Sequence, residues 1–353
     1  MPKETMTPRE RWLAVLRREP PDRVPMDYWA TAEASEKIKK HLGCASLDQV
    51  FARLHVDNPL TVGPRYIGPR LPEDTDVWGL RRKTVPYAGG AYDEVVSHPL
   101  AQFNSVGEIE KGYRWPSPDW YDYSELPGRV TGQEHRPIRG GGSEPFLTYK
   151  YLRGDEQAFV DLIENPEIVH YCMDRMYGLA CENTRRIYEA IPGKVLVSYV
   201  AEDLGAQTDL LYSPEQIRTF FLPWMKKMVE LVHGAGAYAF THSDGAVRKI
   251  LPDLIAIGVD VLNPIQWRCS GMEREGLKRD FGRQLVFHGG VDNQQTLAFG
   301  TVRDVREEVI HNLRVLGAGG GYMLAPCHNI QAVSPPENIV AMYETGYQHG
   351  WVG

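Results

Sequence analysis

The 353-residue chain predicts an α/β protein: an eight-fold β/α (TIM) barrel with an N-terminal helix and a long loop and hairpin insertion. Three observations carry this. Strands alternate with helices through the second half, which calls for a parallel sheet. The strand ends are polar, namely Glu202-Asp203, His242-Ser-Asp244, Asn263-Pro-Ile-Gln266, His288-Gly-Gly-Val-Asp292 and Cys327-His328, and a barrel gathers such ends at one mouth. The stretch from Gly63 to Gly142 is rich in Pro, Gly, Tyr and Trp, as expected of loops that line or cover a pocket. A doubly wound open sheet is the alternative. On the barrel reading residues 1–353 are one domain, with 63–142 inserted at its mouth.

Thr7-Pro-Arg-Glu10 has the form of a capping box with Pro at the first helical position, so a helix is expected over 8–18. Met26 to Trp29 can serve as a first strand, helices follow near 32–41 and from Leu47, and a strand is expected at Asn58 to Val62. The run Gly140-Gly-Gly142 lacks a phosphate-loop lysine and is read with the insertion. Helices are then expected over 156–190, a strand over Lys194 to Val200, and a helix opened by Ser213-Pro-Glu-Gln216 that Pro223 should kink. Further strands end at His242, at Ile265, at Gly290 and at Ala325, with helices between them. Ser334-Pro-Pro-Glu337 is expected to cap a final helix.

With 42% hydrophobic and 24% charged residues, the composition is that of a soluble globular protein. No stretch reaches the apolar length of a membrane span, and the polar start carries no secretory signal, so a cytoplasmic protein is expected. The net charge of −7 is spread along the chain without a basic run, which argues against nucleic acid. Five cysteines without CxxC spacing argue against a disulfide framework. The insertion is alternatively a flexible excursion, or the contact of a homodimer made by Trp78, Trp115 and Trp120.

The segment Ala237 to Gly245 reads as a buried strand that ends in capable side chains. Residues two apart share a strand face, so His242 and Asp244 point together and Ser243 points away. A plainer reading makes Asp244 a helix cap and His242 a core histidine. The strand end at Cys327-His328 offers a second pair of donors, of which only one should face the mouth. Together His242, Asp244 and one of Cys327 and His328 are a candidate ligand set, leaving one position open for substrate.

The opening Thr7-Pro-Arg-Glu-Arg-Trp-Leu-Ala-Val-Leu16, the run from His242 through Gly258-Val-Asp-Val-Leu-Asn-Pro-Ile-Gln266, Phe287-His-Gly-Gly-Val-Asp292, and His328-Asn-Ile with Pro-Pro-Glu-Asn338 resemble the uroporphyrinogen decarboxylase superfamily over nearly the whole chain. The resemblance implies a β/α barrel that is either a haem-pathway decarboxylase or a zinc-dependent methyltransferase serving corrinoid proteins. The decarboxylase branch relies on an arginine run where this chain has Trp29-Ala-Thr-Ala-Glu33, and on an aspartate where it has Gly63-Pro64. The methyltransferase branch binds zinc through a His-x-Cys pair and a late Cys. Here Asp244 replaces the first thiolate and His328 stands at the late position, one residue from Cys327.

The resemblance therefore implies a zinc-dependent methyltransferase that moves a methyl group from a small O- or N-methylated compound to a corrinoid carried by a partner protein. His242, Asp244 and His328 would hold zinc, and Glu202, Asp203 and Tyr149 would act at the reacting centre. Tyr151, Gln266, Asn263 and His288 would contact substrate. The alternatives are a decarboxylase of a tetrapyrrole or aromatic acid, and a barrel that only binds a tetrapyrrole or corrinoid.

Overall fold

Among the described residues, seven parallel strands follow one another around a curled sheet in chain order, which makes the protein an α/β fold of barrel-like form. They are β1 (Leu60–Val62), β2 (Ile138–Ser143), β3 (Val197–Val200), β4 (Tyr238–His242), β5 (Val261–Asn263), β6 (Val286–Val291) and β7 (Tyr322–Pro326). The computed structural model describes residues 3–87 and 90–352. Met1 and Pro2 of the polar start, Ala88 and Gly89 of the expected insertion, and Gly353 lie outside the described residues.

The expected first strand at Met26 to Trp29 is present as two isolated parallel bridges, Met26 with Leu324 and Ala30 with Ile330. Pro25 to Asp27 lies between β7 and the approach to β1. The Leu324 N–H donates to the Pro25 carbonyl at 2.9 Å, the Asp27 N–H to the Leu324 carbonyl at 2.9 Å, and the Asp57 N–H to the Met26 carbonyl at 2.7 Å.

Thr7 and Glu10 form the expected capping box, and the helix runs Pro8–Leu16. Its Trp12, Val15 and Leu16 pack with Leu196, Val197, Phe240, Val261, Val286 and Met323, one apolar plug drawn from five strands and the residue before β3. Burying a side chain of this kind is worth about 1.5–3 kcal/mol. The plug supports the polar groups at the opposite strand ends from below.

One boundary differs in a way that matters. The glycine run 140–142, read as part of the insertion, belongs to β2, which pairs with both β1 and β3. Close approach explains the composition. A Cβ on Gly142 would run into the Tyr199 carbonyl of β3, and one on Gly141 would meet Thr184 at 2.6 Å. The strand therefore delivers Glu144 to the mouth.

The preceding segment holds a hairpin, Arg82–Tyr87 with Gly90–Val95, a short pair of Arg65–Tyr66 with Tyr121–Asp122, and a helix at Val106–Gly112. It leans on the long helix Pro166–Ala190 through Tyr123, whose hydroxyl donates to Asn183 at 2.7 Å, and through Trp115 against Tyr171. Pro223 falls where the helix opened by Ser213 widens into a π turn over Ile217–Phe221 before continuing as Leu222–Gly234. Ser334 does not cap the last helix, which runs Pro336–His349 from Pro335, and its hydroxyl is buried without a partner. Among the described residues no helix is long and apolar enough to cross a membrane.

The start of the chain is clamped by buried charge. Asp57 accepts from Arg11 at 2.5 Å, from Arg23 at 2.7 Å and from the Met26 N–H at 2.9 Å. Asp57, Arg11 and Arg23 are all fully buried, so Asp57→Ala would remove the carboxylate the two guanidiniums share, leaving Arg11 with Asp22 and Arg23 with Glu4. That substitution is expected to cost about 3–5 kcal/mol in denaturant unfolding. A loss inside the range of ordinary surface substitutions would show that the clamp does not hold this segment.

Candidate active site

The C-terminal ends of β2, β3 and β4 bring Glu144, Asp203, His242 and Asp244 to one mouth. Donor atoms of Asp203, His242 and Asp244 all lie within 4.8 Å of one another, with His242 Nε2 4.0 Å from Asp203 Oδ1. Asp203 Oδ1 and Asp244 Oδ1 are buried and have no hydrogen-bond partner. Uncompensated carboxylate oxygens are costly, and a cation between them would remove the cost. Two hard oxygens and one imidazole suit a borderline or hard divalent ion.

The orientation of His242 is set from beneath. Its Nδ1 lies 2.6 Å from Asn263 Oδ1, Asn263 Nδ2 lies 2.8 Å from His288 Nδ1, and His288 Nε2 lies 3.0 Å from Asp27 Oδ2. Burial opposes the charge on Asp27, yet the contacts from His288, Arg139 and Trp29 outweigh it and hold Asp27 below the usual carboxylate range. Burial pushes His288 down, towards its neutral form. A carboxylate only accepts, so the single proton of His288 sits on Nε2 and its Nδ1 is bare. Asn263 then turns its NH2 to His288 and its oxygen to His242. The proton of neutral His242 is thereby placed on Nδ1, which leaves the Nε2 lone pair facing Asp203 and Asp244. Metal-binding histidines are commonly oriented in this manner.

Glu144 is the site residue that sequence reading missed. Burial, followed by the charge of Asp203, pushes its carboxyl up to about 7. Burial raises Asp244 as well. The available signal was a carboxylate directly after a strand and directly before Pro145, which opens the helix Pro145–Arg153. It was obscured because the glycine run was read as loop.

The expected residues divide into several groups. Asp203, expected at the reacting centre, joins His242 and Asp244 in the donor cluster. His328 stands beside it, half exposed, with Nε2 3.7 Å from Asp244 Oδ2, and does not complete a three-donor set. Cys327 points away, its thiol held protonated by burial and donating to the Ile265 carbonyl at 3.1 Å. Gln266 accepts from the Gly245 N–H at 2.8 Å and lines a cleft with Asp244 and His328.

Asn263 and His288, expected to touch substrate, are fully buried members of the chain under His242. Glu202 is buried too, with burial raising its carboxyl well above the ordinary range. It accepts from the Phe146 N–H at 3.1 Å and from the Tyr177 hydroxyl at 3.2 Å. Its alternation with Asp203 turns it inward, where it ties β3 to the Pro145–Arg153 helix. Tyr149 is on the core side of that helix, its hydroxyl bonded to Asp161, and does not reach the mouth. Tyr151 packs under Arg82 of the hairpin.

A mouth at the carboxyl ends of parallel strands, with ionisable groups from several strands, defines an enzyme-like barrel. The chain belongs to the uroporphyrinogen decarboxylase family, whose model matches residues 130–349. Uroporphyrinogen decarboxylase of Synechocystis is 25% identical over 221 residues, covering 60% of this chain and 54% of that protein. The same enzyme of Neisseria meningitidis is 22% identical over 222 residues, with 60% and 54% covered. The chain thus spans about half the length of these relatives. A methyltransferase from Methanosarcina mazei shares the fold at a TM-score of 0.67 and 19% identity, over 97% of this chain and 99% of that one.

Without metal, the raised carboxyl of Glu144 favours the folded state only while protonated. Its contribution is complete below the ordinary value of 4.5 and is lost as pH rises through about 7. Glu144→Gln is therefore expected to match the metal-free wild type in melting temperature below pH 4.5, to exceed it by a growing margin between pH 4.5 and about 7, and to keep that margin above it. A difference that does not grow with pH would contradict this environment for Glu144.

Proposed function

We propose that this protein is a metal-dependent methyltransferase that takes a methyl group from a small O- or N-methylated compound and passes it to a corrinoid held by a partner protein. The observation that carries the reading is the pair of unpartnered, buried carboxylate oxygens on Asp203 and Asp244 beside Nε2 of His242. The barrel frame it shares with the Methanosarcina mazei methyltransferase, end to end, supports the same reading. In this frame the segment 24–30 serves as the eighth strand of a β/α barrel.

Asp203, His242 and Asp244 would hold the ion, zinc in this reading. Bound there, it would supply Lewis acidity to the leaving oxygen or nitrogen. A donor set of two carboxylates and an imidazole, without thiolate, suits an ether or amine better than a thiol. Asn263 holds the His242 proton on Nδ1. His328, next to Asp244, orients that carboxylate from the rim. Glu144, at the same mouth, supplies the proton that the departing atom collects.

The wild type, equilibrated with zinc at neutral pH and desalted, is expected to carry stoichiometric metal. His242→Ala and Asp244→Ala should lose it, Cys327→Ser should keep it, and Asn263→Leu should weaken binding about 10–100-fold. The zinc-loaded protein mixed with reduced cobalamin and a panel of methoxylated and N-methylated compounds should form methylcobalamin. Absence of stoichiometric metal, or of any methylated cobalamin, would sink the reading.

A further inference from the structure

A cleft of about 540 Å³ is bounded by Trp29, Asn58, Thr61, Arg139, Tyr199 and Asn329, and two of these, Trp29 and Tyr199, connect it to His242. This size suits a compact organic ligand. Trp29 and Tyr199 each stack on the His242 ring, both at 5.8 Å with interplanar angles of 28° and 27°. Two half-buried aromatic walls therefore run from the cleft to the donor histidine.

Arg139 is the cleft's one cationic lining residue among those described. Its guanidinium lies 5.3 Å from the Trp29 ring centroid and 5.5 Å from that of Phe240. The side-chain hydrogen bond it makes is a long one, 3.3 Å to Asp27 Oδ2, and its Nε is buried without a partner. Asp27 is committed elsewhere, to the Tyr28 N–H at 2.8 Å, Trp29 Nε1 at 2.8 Å and His288 Nε2 at 3.0 Å. The guanidinium thus retains donors for an incoming anion, in a partly desolvated setting where a charge-assisted bond is strongest.

We infer that the cleft binds a flat, singly anionic ring compound, a methoxylated aromatic carboxylate, with its carboxylate on Arg139 and its ring against Trp29 and Tyr199. The anion and the ring are read from the cleft alone. Direction of the ether oxygen towards Asp203, His242 and Asp244 rests on the methyltransferase reading. A porphyrinogen fits poorly, because its many carboxylates would meet a single guanidinium with Asp27 behind it and the acidic groups of the mouth beside it.

The test is calorimetric titration of the full chain, without corrinoid and with or without zinc, using para-methoxybenzoate and its neutral isostere para-methoxybenzamide. Wild type should bind the anion at least about ten-fold more tightly than the amide. Arg139→Gln should abolish that preference while leaving the amide's affinity unchanged, and Arg139→Lys should keep part of it, since the charge stays and the fork is lost. Equal binding of the two probes by wild type, or a preference that survives Arg139→Gln, overturns the inference. The wild-type comparison decides the matter even if Arg139→Gln fails to fold. An anion preference without methyl transfer would fault the functional reading and keep the cleft, whereas transfer from neutral methoxy compounds with no anion preference would do the reverse.

Discussion

The hydrogen-bonded chain Asp27–His288–Asn263–His242 is the constraint on which the mouth of this barrel depends. It joins the segment beside β7 to β6, β5 and β4 through side chains that are buried at every link. Each link has a direction, because a carboxylate only accepts and an amide has one accepting and one donating end. A charge fixed at Asp27 therefore determines which nitrogen of His242 carries a proton, three residues away and on another strand. The N-terminal helix and the Asp57 clamp matter to function because they hold Asp27 where the chain begins.

The upper side of His242 has the opposite character. Below it every polar atom of the chain has a partner, whereas above it two carboxylate oxygens have none and Glu144 crowds them. Acidic groups drawn together out of water raise one another's affinity for protons, and a divalent ion competes for the same negative charge. Glu202, one residue before Asp203, shows the contrast. Alternation along the strand sends it inward, where a helix N-terminus and a tyrosine satisfy it, and it plays a part in the architecture without reaching the mouth.

Much of the frame was legible in the sequence, since strand and helix periodicities in the second half are strong and the capping box at Thr7 is local. His242 and Asp244 were legible because a strand ran directly into them. Glu144 was not, because β2 uses glycines for close packing against β3 and the long helix, and glycines read as loop. Asn263 and His288 were placed at the right strand ends, but period-two reasoning does not say how far down the barrel a side chain lies. The aromatic and cationic walls at Trp29, Arg139 and Tyr199 come from segments more than a hundred residues apart at the extremes, each ordinary when read alone. Tyr149 shows the converse error: a suitable residue type on a helix whose core-facing side carries it away from the site.

The most direct measurement of the central claim is the tautomeric state of His242, read from long-range proton–nitrogen correlations in histidine-labelled, metal-free protein at neutral pH and assigned with a His242→Gln variant. The proton is expected on Nδ1, with a bare Nε2 whose nitrogen resonance moves when zinc is added. A proton on Nε2, or a ring whose Nε2 signal ignores zinc, would contradict the claim that the buried chain from Asp27 prepares this histidine to bind a metal.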